Sequence, residues 1–453
     1  MYDIVLKNGL VINPEDKIMS VLNLGIIGNK ISRITSEEIC GLKEYDCEGL
    51  VVSPGFVDAH AHEDSYDEQE GKFKLDITLS MLKMGVTTIL GGQCGIGPKD
   101  LCQYMDALDQ KGHPVNVAML SAHGPLRNNQ GDYDNYKAVD AKIVDAMKIQ
   151  LERELGQGSF GLSFGIRYIP GLNDQELLGL CQVVKKYNGV AAAHVRGDNE
   201  EAIDSFEEFI QIGRESDCKI HLSHIGSMAA FGQMKEVLEL FDECAASGMD
   251  IAADCYPYNA FCTDIGSATF DEGFIHRYGD DYSKIEMTEG KYKAQRCTKE
   301  TFLETRRDHP EYLAVAHVMK EEEVDMALKH PRTILGSDGI LSNGNGHPRA
   351  SGSFPRFIRE YVINKEIVSL YTAIEKMTYQ TARRFDIPKG SLSIGKDADI
   401  TVFDLESIRD TATFSNPVSN PEGIKYVFIR GELAVRDGEI LRKDLGKSVR
   451  KLT

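Results

Sequence analysis

The chain has 453 residues, 42% of them hydrophobic and 27% charged, the make-up of an ordinary globular protein. A formal net charge of −19 repels nucleic acid and anionic membrane at long range, so neither is an expected partner. No apolar run approaches the ~20 residues that span a bilayer, and an anionic substrate would need local positive charge from a metal or an arginine.

The first residues, MYDIVLKNGLVINPEDK, alternate as a strand does and lack a signal peptide's basic and apolar regions, which points to the cytoplasm. Ten cysteines without CxxC pairs fit that compartment as reduced, mostly buried thiols. Residues 1–53 carry short alternating runs such as VLNLGIIGNKISRI, and residues 388–453 repeat the style in GKDADITVFD and GIKYVFIRGELAVRDGE. Brief apolar runs between Gly and Asn turns predict strands and hairpins. Two such ends around one middle predict a small β-sandwich domain assembled from both termini.

The middle, 54–387, alternates strand and helix signals. Strands are expected at 51–58, 85–92, 115–124, 160–166, 189–195, 219–226, 249–258 and 332–339, most followed by helical patterns such as AVDAKIVDAMKIQLERELGQ. This predicts an α/β fold, a (β/α)8 TIM barrel with catalytic residues at the C-terminal strand ends. A doubly wound open sheet is the competing architecture, but no GxGxxG or GxxxxGK[ST] loop follows any strand. Residues 260–315 break the rhythm before the last strand and read as a lid-like insertion over the barrel mouth.

The strand ends carry the chemistry. In PGFVDAHAHEDS (54–65), alternation along a strand would put Asp58, His60 and His62 on one face. Cys94 follows the second strand in GGQCGIG, His194 ends the fifth, His224 the sixth, and Asp338 sits after the eighth in GSDG. His221 lies three residues before His224 and should face the other way; His224 is nearer the strand end and is preferred. Imidazole, thiolate and carboxylate converging on one mouth favour Zn²⁺. Zinc lowers the pKa of a bound water from ~15.7 toward ~7, and a carboxylate beside it, here Asp338, can accept the proton and deliver it to a leaving nitrogen. The group reads as a site for metal-assisted amide hydrolysis.

PGFVDAHAH, GVTTILGGQCGIG, the two strand-end histidines and GSDG together resemble the amidohydrolase superfamily. QCGIG with HVRGDN, DCYPY, GHPRASGSFPRFIREYV and KMTYQTARRFDIPKGSLSIGKDADITVFD is similar to the N-acyl-D-amino-acid deacylases (D-aminoacylases). The resemblance implies one tight zinc on Cys94, His194 and His224, a second, weaker position on His60, His62 and Asp338, and Asp338 as general base and acid. It implies as substrate a small N-acylated D-amino acid. Many superfamily members use a carbamylated lysine on the fourth strand; FGLSFGIRY has none, which weighs against the alternative, a cyclic-amide hydrolase of the dihydroorotase or hydantoinase kind. A substrate carboxylate needs a cation or donors, and Tyr168, Arg196, Tyr256, Tyr258 and Arg349 are the candidates. Relatives often carry a lysine two residues after the strand-6 histidine; this chain has Gly226, leaving that task to groups such as Arg196 or Arg349.

Overall fold

The computed structural model describes residues 1–452. Both ends of the chain build one nine-stranded sheet. Its path runs Glu439–Ile440, Glu432–Arg436, Ile424–Ile429, Ile400–Phe403, Val51–Pro54, Tyr2–Asn13, Ile18–Ile27 and Lys30–Thr35, with Gly41–Asp46 also on Tyr2–Asn13. The alternating runs fold this way because each buries one face. Leu6, Leu24, Ile26 and Val52 from the first end close against Ile400, Val402 and Phe428 from the second.

Gly55 marks the exit from this sheet, since a Cβ there would meet Thr87 Oγ1 at 2.1 Å. The expected strand 51–58 is therefore two short strands, and the second opens a parallel series. In chain order these are β1 (Phe56–Asp58), β2 (Val86–Gly91), β3 (Asn116–Met119, carried on as Ser121–Ala122), β4 (Gly161–Gly165), β5 (Val190–His194), β6 (Lys219–Leu222), β7 (Ile251–Cys255) and β8 (Thr333–Leu335). Each pairs in parallel with the next from β1 to β8. The Ala59 N–H donates to the Leu335 carbonyl (3.3 Å), and Ala61 bridges to Gly339, joining the end of β8 to the end of β1. Nearly every residue of these strands is buried, as parallel strands covered on both faces require. Amphipathic helices follow most of them, among them Leu101–Lys111, Ala141–Gly156, Asp174–Lys186, Ala202–Ser216 and Met234–Ala246. No helix among the described residues is long and apolar enough to cross a membrane.

Two segments depart from the sequence reading. The stretch 260–315, read as lacking strong periodicity, carries its own antiparallel sheet: Leu313–Ala316 lies between Phe261–Asp264 and Ile285–Met287. Strands of three or four residues are too short to announce themselves by alternation. The final residues leave the nine-stranded sheet, and Ser448–Val449 pairs in parallel with β3.

A buried carboxylate helps join the nine-stranded sheet to the parallel series. Asp399 Oδ2 accepts from Asn116 Nδ2 (3.0 Å) and Lys389 Nζ (2.8 Å), and its Oδ1 accepts from the Arg430 N–H (2.7 Å). Its removal takes one of two carboxylates from the buried Lys389 ammonium, leaving Asp397, and leaves Asn116 Nδ2 with the Thr87 carbonyl alone. Asp399→Ala is expected to lower unfolding free energy by about 3 kcal/mol, read as a shift of the urea midpoint at constant slope.

Candidate metal centre

The six proposed ligand residues come together at the C-terminal ends of the parallel strands. One ligand atom from each of His60, His62, Cys94 and Asp338 lies within 4.8 Å of the others, and the same holds for Cys94, His194 and His224. Cys94 belongs to both groups. Its Sγ lies 3.3 Å from His60 Nε2 and 3.3 Å from His224 Nε2. The His194 and His224 rings stand 4.4 Å apart. Asp338 Oδ1 lies 3.3 Å from His62 Nε2 and 3.5 Å from His60 Nε2.

Backbone strain helps hold this arrangement. Cys94, His224 and Asp338 have φ of 55°, 34° and 51°, in the left-handed region that non-glycine residues seldom occupy. Each lies just past the end of its strand, so the turn that ends pairing also swings the side chain inward. The Cys94 turn is braced from β4: the Gly95 N–H donates to Ser163 Oγ (3.0 Å), and the Ser163 hydroxyl donates to the Gly92 carbonyl. Gly92 is itself left-handed, and a Cβ there would meet the Leu120 carbonyl oxygen at 2.1 Å. Strand β4, which offers no lysine, thus supports the thiol through a serine.

The charges inside the cluster are interdependent. Burial alone would raise the Cys94 thiol, but the imidazoles of His60 and His224 and a hydrogen bond from His194 hold it well below the ordinary thiol range. Burial would likewise raise Asp338, yet Arg349 and the surrounding imidazoles keep it well below the ordinary carboxylate range. In return the Asp338 carboxylate and Cys94 overcome burial and lift His62 to about 9. Burial and His224 push His194 down.

Sequence reasoning missed the group that orders these side chains. Asp254, fully buried on β7, accepts from His60 Nδ1 (3.1 Å), His221 Nε2 (2.9 Å) and the His224 N–H (2.8 Å). It fixes His60 with Nε2 toward the cluster, and it takes up His221, the residue set aside in favour of His224. Ser227 Oγ lies 2.9 Å from His224 Nδ1 and holds the second imidazole in the same sense. The signal was present as the aspartate of DCYPY, one residue from the end of a strand.

Asp58 is a correction. It does not join His60 and His62, because β1 stops at Asp58 and alternation stops with it. Its Oδ1 accepts from the His60 and Ser337 N–H groups, and burial pushes it up to about 7. Of the substrate candidates, only Tyr168 lines the cavity that His194, His224 and Asp338 border. Arg196, expected on the His194 face, turns outward because Glu208 and the carbonyls of Pro170 and Leu172 occupy its guanidinium. Tyr258 bonds to Asp410 (3.2 Å), and Tyr256 lies buried beneath the Arg349 guanidinium. Arg349 is fully buried, 2.9 Å from Asp338 Oδ2, and donates to the Cys262 carbonyl (3.1 Å). Gly226 packs against β7, where a Cβ would lie 2.9 Å from Cys255 Sγ and 3.0 Å from Met319 Cε.

Asp254→Asn removes a buried charge from between two imidazoles and is expected to cost about 3 kcal/mol of stability at pH 7. The folded carboxylate titrates far below its unfolded value near ~3.9, so its contribution is complete above that pH and is lost as pH falls through the folded value. The gap between wild-type and variant urea midpoints should therefore be full at pH 7 and shrink below about pH 4.

A model of the amidohydrolase family matches residues 43–330 and 322–435. The D-aminoacylase of Alcaligenes xylosoxydans xylosoxydans is 30% identical, over 95% of this chain and 94% of that protein. The N-acyl-D-aspartate deacylase of the same organism is 30% identical, over 88% of this chain and 84% of that one. Among solved structures, the N-acyl-D-glutamate deacylase from Bordetella bronchiseptica, complexed with zinc and a phosphonate mimic of the tetrahedral intermediate, is similar with a TM-score of 0.87 and 26% identity over 99% of both chains. The chain therefore belongs to the amidohydrolase family, in the branch that holds the N-acyl-D-amino-acid deacylases.

Proposed function

We propose that the protein is a zinc-dependent hydrolase that cleaves N-acyl-D-amino acids to a D-amino acid and a carboxylate. The observation that carries this reading is the buried cluster of a thiol, four imidazoles and a carboxylate at the ends of parallel strands. In this reading the strands β1–β8 form a (β/α)8 barrel over residues 54–387, with 260–315 as its lid. The nine-stranded sheet, drawn from both termini, is then the small β-sandwich domain, with the last residues from Ser448 returning to the barrel. Ten cysteines without a disulfide support a cytoplasmic location.

The donor set suits the metal: thiolate and imidazole select zinc, and two buried anions call for a divalent charge. Cys94, His194 and His224 would hold one ion, and His60, His62 and Asp338 a second, with the Cys94 sulfur within reach of both. An ion there supplies Lewis acidity to the amide carbonyl and brings a water pKa from ~15.7 toward ~7.

The chain's own residues do the rest. Asp338 is held at Oδ2 by Arg349, so Oδ1 keeps one orientation toward the imidazoles, where it accepts the proton of the attacking water and returns it to the leaving nitrogen. Tyr168 presents its hydroxyl to the same cavity, 3.3 Å from Thr263 Oγ1, and can donate to the carbonyl oxygen as charge develops. Asp254 and Ser227 keep His60 and His224 in the tautomer that leaves Nε2 free for an ion. Phe261, Cys262, Thr263 and Thr269 of the insertion wall the cavity and limit water. The absence of a lysine on β4 favours this reading over a cyclic-amide hydrolase, because Ser163 there serves the Cys94 turn instead.

Zinc-loaded protein should release free amine from N-acetyl-D-amino acids and not from their L-enantiomers or from cyclic ureides. Ring opening of the ureides alone would transfer the assignment to the cyclic-amide class. Asp338→Asn should retain zinc and lose at least ~1,000-fold in kcat, whereas Cys94→Ala should lose zinc and rate together. Elemental analysis beside initial rates separates the two outcomes.

A further inference from the structure

The cavity beside the cluster contains a cation without a counter-charge. Arg167 follows β4 and is half-buried in the wall that also holds His194, His224, Met228 and Phe261. Neighbouring arginines are neutralised: Arg349 by Asp338 at 2.9 Å, Arg196 by Glu208 at 2.8 Å, and Arg277 by Asp198 at 2.7 Å. Asp198, the other carboxylate on the wall besides Asp338, is further engaged by the Tyr278 hydroxyl (2.7 Å). Arg167 meets only carbonyl oxygens, with Nη1 donating to Arg196 (3.1 Å) and Nη2 to Thr269 (3.3 Å). Its Nε–H is buried and has no hydrogen-bond partner among the described residues.

We propose that Arg167 receives a carboxylate of the substrate. Two of its five N–H groups fix the guanidinium between β5's following loop and the insertion, so it is held in place before a ligand arrives. The remaining Nη–H groups are left to the cavity side, where a carboxylate can take a charge-assisted bond. In a chain of net charge −19, an arginine left unpaired inside the cavity supplies the local positive charge an anionic substrate needs. This inference rests on the deacylase reading for the identity of the substrate. The carboxylate can be the α-carboxylate, common to every N-acyl amino acid, or the side-chain carboxylate of an acidic one.

Arg167→Gln and Arg167→Lys in the zinc-loaded protein separate these cases. If the α-carboxylate is bound, Arg167→Gln lowers kcat/KM for N-acetyl-D-leucine by about 10- to 100-fold, mainly through KM. N-acetyl-D-leucinamide should stay within about twofold, and Arg167→Lys should recover part of the loss for the acid. If the side-chain carboxylate is bound, the loss appears with N-acetyl-D-glutamate and not with N-acetyl-D-glutamine or N-acetyl-D-leucine. Equal losses for acid and amide, or no loss for either, overturn the proposal. Calorimetric titration with 4-methylpentanoate, glutarate and their neutral amides, 4-methylpentanamide and glutaramide, gives a readout free of turnover. Should the wild type cleave nothing in the panel, the deacylase reading fails, yet weaker carboxylate binding in Arg167→Gln would still uphold the subsite. Unchanged binding of both acids would reject it.

Discussion

Two buried anions set the terms for the whole site. The Cys94 thiolate and the Asp338 carboxylate sit out of water within a few ångströms of each other's partners, and neither could remain ionised there alone. The surrounding imidazoles, His60 and His62 foremost, and Arg349 supply compensating charge and hydrogen bonds, and behind them Asp254 balances His60 and His221. The arrangement is a chain of obligations in which each charge is tolerable only because the next is in place. The same property makes it receptive to a divalent ion, since binding replaces imidazole protons by metal charge without adding any new buried anion.

The fold serves this cluster mainly by ending strands at chosen places. Parallel pairing brings His60, Cys94, His194, His224 and Asp338 from distant parts of the sequence to one level. Left-handed turns at Cys94, His224 and Asp338 then rotate three of those side chains inward. Backbone conformations of this kind cost of order 1–3 kcal/mol each and persist only where surrounding structure fixes them. Here that fixing comes from Ser163 on the Cys94 turn, the Asp254 acceptor on the His224 N–H, and the Asp338 N–H donating to the His60 carbonyl.

The clustering of the candidate ligands was legible in the sequence because each is a metal-binding residue type at the end of a recognisable strand, and strand ends follow from short apolar runs. The supporting groups were not. The aspartate of DCYPY hinted at Asp254, but its partners followed only from β7 lying beside β6, and those of Ser163 only from β4 passing under the Cys94 turn. The substrate residues fared worse for a related reason. Arg196 was read by two-residue alternation from His194, but β5 ends at His194 and alternation carries no information beyond it. Asp58 failed through the same rule applied past the end of β1. Arg167 drew no notice because nothing in FGLSFGIRY marks an arginine as unpaired; that is a property of what surrounds it in space.

The strand Val51–Pro54 pairs on one side with Tyr2–Asn13 and on the other with Ile400–Phe403. A ribosome finishes the first two of these segments long before the third has been made. The early strands must therefore wait with an open edge while the entire central portion is synthesised, and they carry an exposed template for mispairing throughout that interval. Closure of the long loop between them makes this sheet slow to complete, and the growing chain depends on its central portion folding promptly or on a chaperone shielding that edge.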